Sequence, residues 1–517
     1  MDLHRSVAAR SGYVEVRDVF VNRLNVDLGL IVRYRLSANE PATTYLGAVE
    51  LPAQPVEIER YEPQSPVAFS VMREGSVGLL PGNDALWIHA ESFRDSLGFG
   101  LQDPNLCIAP GDSVCLTLRV LATPEPNAWS WMDRARASLG ATFPIEGGFA
   151  FGTFEMSTWS DSVLRDWITV RGLRYISTPT PSSSRGHGLH GPALLQSPSS
   201  LESMRQFASA VHRAAPGVAV LAYFHSQLLN ASAETQELAP SRVLSAVKLP
   251  LEYPRPEGSE KLHLFLPERG GQFAAELQQV LATFWRLGFD GIYWDEMAYS
   301  YKPWAYGGTW DGVSGDVDRS SHLLLRRKSA VPLIVQPWVE DRLREFTALR
   351  KVLVANTEPV TMTLHNYKFP RFVETSNGIA AKSAQLWTPI GLADRLRERA
   401  SSDLAIRLHD HIENGLLYYY YSPFVETQHR TVTSFMFPIT PRSIRGGTIY
   451  GDERILTTRS GRYGWNDDSR HEVHVFDARG REVSSGTRPV EQDGNTWTEL
   501  VVPAGGTAAI VRHPSPE

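Results

Sequence analysis

The sequence predicts a multidomain α/β and all-β chain: an N-terminal β-sandwich, a central (β/α)8 barrel and a small C-terminal β-sandwich. Three observations carry this. Residues 12 to about 124 alternate apolar and polar residues in short runs broken by Pro and Gly; residues 146 to 440 alternate strand-like runs with helical segments; short strands return from 441 onward. At 517 residues the chain exceeds one ordinary core, and a barrel of about 250 residues leaves room for a domain on either side. The expected divisions are 1–124, a linking helical segment 125–145, the barrel 146–440, and 441–517.

In the first zone, Tyr13-Val14-Glu15-Val16-Arg17 and Val114-Cys115-Leu116-Thr117-Leu118-Arg119-Val120 have the period of half-buried strands. The two cysteines, Cys107 and Cys115, flank Ala109-Pro110-Gly111-Asp112, which reads as a hairpin turn. Free thiols or a cross-strand disulfide both fit. Trp129 and Trp131 lead into Met132 to Leu139, read as a helix packed between domains.

The middle zone holds eight candidate strands: 149–155, 173–177, 218–224, 290–295, 351–356, 371–375, 384–388 and 416–421. Eight is the number that closes a barrel. Phe273, Leu277, Val280, Leu281, Phe284 and Trp285 share one helical face, and Leu392 to Leu408 has a similar period. Loops 178–200, 225–262 and 297–330 are long, and long loops on a barrel's C-terminal face usually build a binding site. Beyond 441, strands are expected at 448–450, 454–458, 472–476, 497–502 and 508–511.

Composition narrows the function classes. With 42% hydrophobic residues, 21% charged residues and net charge −6, the chain has neither a membrane-spanning apolar run nor a basic block to track nucleic acid. No secretory signal is visible in Met1-Asp2-Leu3-His4-Arg5, so the expectation is a soluble chain, with a cytoplasmic location slightly favoured. Phosphate-binding, dinucleotide-binding and serine-nucleophile motifs are missing, so no cofactor is expected.

Residues at or just past the strand ends are mostly acidic or polar: Glu155, His225 with Gln227, Asp295 with Glu296, Asn356 with Glu358, Glu374, and Trp387. Paired carboxyl groups at such positions suit glycosidic-bond hydrolysis, in which one protonates the leaving oxygen while the other attacks or stabilises the oxocarbenium-like centre. Asp295 heads this set; its candidate partners are Glu358 and then Glu374. The competing reading for each acid is helix capping. Strict strand alternation points Glu296 away from Asp295. His225 is placed to bond a substrate hydroxyl. Tyr299, Tyr301, Trp304, Tyr306 and Trp310 follow Asp295 and offer either sugar-stacking rings or a packed lid. Asp311, Asp316 and Asp318 lack EF-hand spacing, so a structural Ca²⁺ is possible but not predicted, and His187 with His190 lacks a third zinc ligand.

The segment Gly288-Phe289-Asp290-Gly291-Ile292-Tyr293-Trp294-Asp295 resembles the fourth-strand motif of the retaining α-glycosidase superfamily, in which a β-sandwich precedes the barrel and a β-domain follows it. The resemblance implies that Asp295 is the nucleophile. The endo-α-N-acetylgalactosaminidase type places its acid/base after the next strand, at Glu358, whereas the α-galactosidase and α-glucosidase types place it after the sixth, at Glu374. Tyr293 stands where the α-amylase branch has Arg, which argues against an amylase.

The expectation is thus a glycosidase acting on α-linked sugars of an oligo- or polysaccharide, with catalytic Asp295, Glu358 and Glu374 and no metal. Glu155, His225, Gln227, Tyr293, Glu296, Tyr299, Trp304, Asn356 and Trp387 are the expected substrate-binding residues. The partner is a carbohydrate, not nucleic acid or membrane. Rivals are a non-catalytic carbohydrate-binding barrel and a metal-assisted hydrolase using His225 and Asp295.

Overall fold

The computed structural model describes the whole chain except residues 38–42, 53–56, 184–185, 375–382, 393–399, 422–426, 485 and 515–517. Two antiparallel sheets form the N-terminal sandwich, one of seven strands and one of four. Alternate residues of Tyr13–Val21 and Ser113–Thr123 turn inward, and Phe20, Leu116 and Leu118 meet Phe99 and Leu101 of the opposing sheet. The 109–112 turn is not a hairpin within one sheet. It carries the chain from Gly98–Ile108 in the smaller sheet to Ser113–Thr123 in the larger, so Cys107 and Cys115 belong to different layers, and both thiols are free.

Eight parallel strands follow in sequence order: Gly148–Phe151, Leu173–Ser177, Ala219–His225, Gly291–Asp295, Val352–Asn356, Arg371–Glu374, Ile390–Leu392 and Leu417–Tyr419. The first and last meet where Tyr420 N–H donates to Phe149 O at 2.9 Å, closing the barrel. Its interior is unusually aromatic. Phe149, Tyr293, Phe372 and Tyr419 contact one another at centroid separations of 5.6 to 6.1 Å and form a packed floor. On the outside, Trp294 meets Trp338 of helix Val331–Ala348 edge-on at 5.7 Å. The 273–285 periodicity corresponds to helix Gln272–Arg286, which buries Phe273, Leu277, Val280, Leu281 and Phe284. The expected 392–408 helix falls partly outside the described residues; helix Ser401–Glu413 is its described part.

Two boundaries differ from the sequence reading. The first strand stops at Phe151, and 154–158 form a 3₁₀ turn. The seventh strand is Ile390–Leu392, not 384–388. Ala384 to Trp387 instead make a tight turn whose apolar side chains join a cluster between sandwich and barrel, with Phe69, Trp87 and Trp131. A short apolar run buried at a domain boundary has the same composition as a buried strand.

Helix Ala128–Ser138 joins all three parts. Trp131 stacks on Phe69 of the sandwich at 4.3 Å, Arg136 bonds Gln385 of the barrel, and Asp133 accepts from Ser443 and Arg445 of the C-terminal sheet. The C-terminal domain comprises a five-stranded and a three-stranded antiparallel sheet. Among the described residues, no helix is long and apolar enough to cross a membrane.

Candidate active site

Register decides what the barrel's C-terminal face presents. In Gly291–Asp295 the odd residues point inward, so Tyr293 and Asp295 share a face while Ile292 and Trp294 pack outward. Gly291 is required by close approach, because a Cβ there would lie 1.8 Å from Val352 O. Asp295 pairs in register with Asn356 on the fifth strand, and Asn356 with Phe372 on the sixth, which puts Glu374 one inward position further up.

These residues line one pocket of about 600 Å³, together with Tyr223, His225, Tyr253, Glu296, His190 and Arg255. Asp295 is held by three donors: Tyr223 OH to Oδ2 at 3.0 Å, Tyr293 OH to Oδ1 at 2.8 Å, and Asn356 Nδ2 to Oδ1 at 3.0 Å. Burial, and then the adjacent Asp295 charge, hold both tyrosines well above their ordinary pKa, so they remain donors. Asn356 Nδ2 also donates to Glu374 Oε2 at 2.8 Å. Two bonds from one nitrogen limit the separation of those carboxylate oxygens to under about 6 Å.

Glu296 lies in this pocket and does not point away from it. Its φ of 46° is left-handed, and this breaks the strand alternation and swings the side chain back beside Asp295. It accepts from His225 Nε2 at 3.2 Å, from Tyr253 OH at 3.0 Å and from Ser300 OH. Burial raises its pKa, but these donors more than offset that, and the carboxyl sits below its ordinary range. Gln227 N–H donates to His225 Nδ1 at 3.1 Å, which assigns the Nε2–H tautomer to that imidazole.

Other expected site residues are elsewhere. Glu155 is exposed in the first turn of the 154–158 segment, outside the pocket lining. Glu358 is also outside the lining, near Tyr299; burial, with a smaller effect from the Glu296 charge, raises its pKa. Gln227 is buried, and its Oε1 accepts from Ser300 N–H at 2.9 Å, so it shapes the loop behind the pocket. Trp387 is 1% exposed in the interdomain cluster. Much of the aromatic loop packs on the sandwich: Trp304 lies 5.7 Å from the His89 ring with Lys328 over its face at 4.0 Å, and Tyr299 joins the core clusters, whereas Tyr301 is exposed, 6.4 Å from the ring of the pocket residue Tyr253. The cause is a strong anchor. Leu106 bridges Ser314, while His89 Nε2 lies 2.7 Å from Ser314 Oγ and Nδ1 lies 2.9 Å from Asp103, all three residues fully buried. That constellation has a triad's connectivity, but it is sealed from solvent and acts as a clamp.

The acids 311, 316 and 318 are engaged by protein partners: Asp311 by Val313, Ser314 and Ala330, Asp316 by Arg326 and Lys328, and Asp318 by Ser320 and Ser321. Tyr223, Tyr253, His190 and Arg255 are pocket residues that the strand-end reading missed. Tyr223 was legible as an inward position two residues before His225. The other three come from loops 178–200 and 225–262, whose path no periodicity reveals.

The sequence matches no protein-family model and no curated protein. Among solved structures, the chain is similar to the α-N-acetylgalactosaminidase NagBb of Bifidobacterium bifidum in its GalNAc complex, with TM-score 0.54 and 11% identity over 88% of this chain and 89% of that one. It is similar to the GH36 α-galactosidase AgaA of Geobacillus stearothermophilus bound to stachyose, with TM-score 0.56 and 9% identity over 97% and 80%. A Lactobacillus brevis α-galactosidase gives TM-score 0.56 and 9% identity over 100% and 80%. These likenesses establish a shared fold. The chain shares with these α-glycosidases the layout of a sandwich, a barrel and a terminal β-domain.

Proposed function

We propose that this protein hydrolyses an α-linked glycoside with retention of configuration, using Asp295 as nucleophile and Glu374 as acid/base. The observation that carries this reading is the pair of hydrogen bonds from Asn356 Nδ2 to Asp295 and Glu374. The carboxyl spacing they allow fits the roughly 5–5.5 Å of retaining enzymes better than the wider gap that admits a water in inverting ones. The names of the structural neighbours favour a galacto-configured sugar.

In this reading Glu374 protonates the glycosidic oxygen as Asp295 attacks the anomeric carbon, giving a covalent glycosyl ester and releasing the aglycone. Glu374 then takes a proton from water, which attacks the anomeric carbon and frees Asp295. Tyr223, Tyr293 and Asn356 donate to Asp295 and fix the orientation of its oxygens. Glu296, oriented by His225 and Tyr253, accepts from a sugar hydroxyl. The chemistry needs no metal, so EDTA leaves turnover unchanged.

The test is trapping with 5-fluoro-α-galactosyl fluoride and mass spectrometry of the digest. The expected result is one glycosyl adduct on the peptide spanning 288–297. A product of inverted configuration by NMR, or a label on another carboxylate, overturns the assignment.

A further inference from the structure

The pocket holds two nitrogen groups that have no partner among the described residues. Arg255 lines it, yet its guanidinium makes no hydrogen bond or ion pair with any described residue, although Asp295, Glu296 and Glu374 share the same walls. A cation placed only to neutralise those acids would sit within ion-pair distance of one of them. Arg255 is exposed where it lines the pocket, and its backbone is restricted: Pro254 and Pro256 flank it, which favours extended conformations, and Tyr253 N–H two residues before it donates to Leu262 O at 2.8 Å. The second group is His190, 6% exposed, whose Nδ1 is buried without a partner and whose ring makes no hydrogen bond to a described residue. It lies 5.9 Å from the ring of Tyr223, which holds Asp295, and 5.8 Å from that of His225. Burial, then the neighbouring His225 and Arg255, lowers its pKa to about 3, so the imidazole is neutral and can donate without adding charge.

We infer that Arg255 and His190 together recognise an anionic substituent, a carboxylate or a sulfate ester, on the sugar held beside Asp295. The inference rests on the glycosidase reading and narrows its substrate class. A guanidinium matches such oxyanions by paired N–H donors, whereas sugar hydroxyls can be served by neutral groups. The carboxylates of Asp295 and Glu296 oppose any anion entering the pocket, so the discrimination depends on Arg255 and is sensitive to salt.

Binding of reaction products tests it without relying on turnover. Galactose, galacturonic acid and galactose 6-sulfate are titrated calorimetrically into the full-length protein, Arg255→Ala and Arg255→Lys. At least one acidic sugar is expected to bind 10-fold or more tighter than galactose. That ratio falls toward one in R255A and at high salt, and is partly kept in R255K. The two acidic probes separate carboxylate from sulfate recognition. If galactose binds as well as either acid, or if the acid preference survives in R255A, the inference is wrong and the glycosidase reading stands. Failure of all three sugars to bind removes both.

Discussion

Asp295 and Glu374 accept hydrogen bonds from the same atom, Nδ2 of Asn356, at 3.0 and 2.8 Å. Their strands are not neighbours. The fifth strand separates them and supplies the amide that spaces them. This arrangement favours Glu374 over Glu358 as acid/base. Glu374→Gln should therefore lower kcat about 10²- to 10⁴-fold on an alkyl glycoside, and far less on a dinitrophenyl glycoside, whose leaving group needs no proton. Glu358→Gln should stay within about 3-fold on both. Steady-state kinetics on the two substrates decides the matter, and the reverse pattern would reinstate Glu358.

Glu296 gives a pH signature of known sign. Its folded pKa lies below the ordinary value, so its ionisation contributes stability that is fully present above the unfolded pKa and is lost as pH falls through the folded one. The melting temperature of the native chain should exceed that of Glu296→Gln at pH 7, and the gap should close below about pH 4.5. A gap that is constant from pH 7 to 3 would show that the effect is packing alone.

Trp304 is an interdomain residue, not a sugar platform. Trp304→Ala should leave KM within about 2-fold while costing roughly 2 kcal/mol of stability, read from denaturant midpoints. A several-fold rise in KM with unchanged stability would return the aromatic loop to the substrate.

The buried His89 clamp should matter to folding only. His89→Leu leaves the Asp103 carboxylate with Asn105 N–H as its remaining close donor and strands the Ser314 hydroxyl on that side. A loss of about 3 kcal/mol or more is expected, with kcat unchanged at temperatures where the variant is folded. Loss of activity in a fully folded variant would mean that the clamp reaches the pocket.

At Gly291 any side chain collides with Val352 O. Gly291→Ala should cost about 1–3 kcal/mol, visible as a lower urea midpoint, and should spread the fourth and fifth strands that carry Asp295 and Asn356. Activity should fall with it; native stability in this variant would show that the two strands can part without cost.

Much of the scaffold was legible from periodicity. Alternation between strands and amphipathic helices reveals a barrel because each pattern reports which side of an element is buried. The same logic puts Asp295 and Tyr293 on one inward face. It misplaces the seventh strand, because 384–388 is apolar through burial between domains. It also ends the first strand too late, which makes the exposed Glu155 look like a pocket acid.

What the amino-acid sequence determined by itself is the three-part architecture and the delivery of Asp295 to a strand's C-terminal end, both consequences of local hydrophobic period. Only the tertiary structure decided which acid faces it. Register across three strands brings Glu374, not Glu358, to Asn356, and one left-handed residue turns Glu296 inward. The aromatic loop goes to the sandwich because a buried anchor at Ser314 captures it, while loops 178–200 and 225–262 wall the pocket. Those outcomes depend on contacts between residues far apart in the chain, whose partners no local pattern specifies.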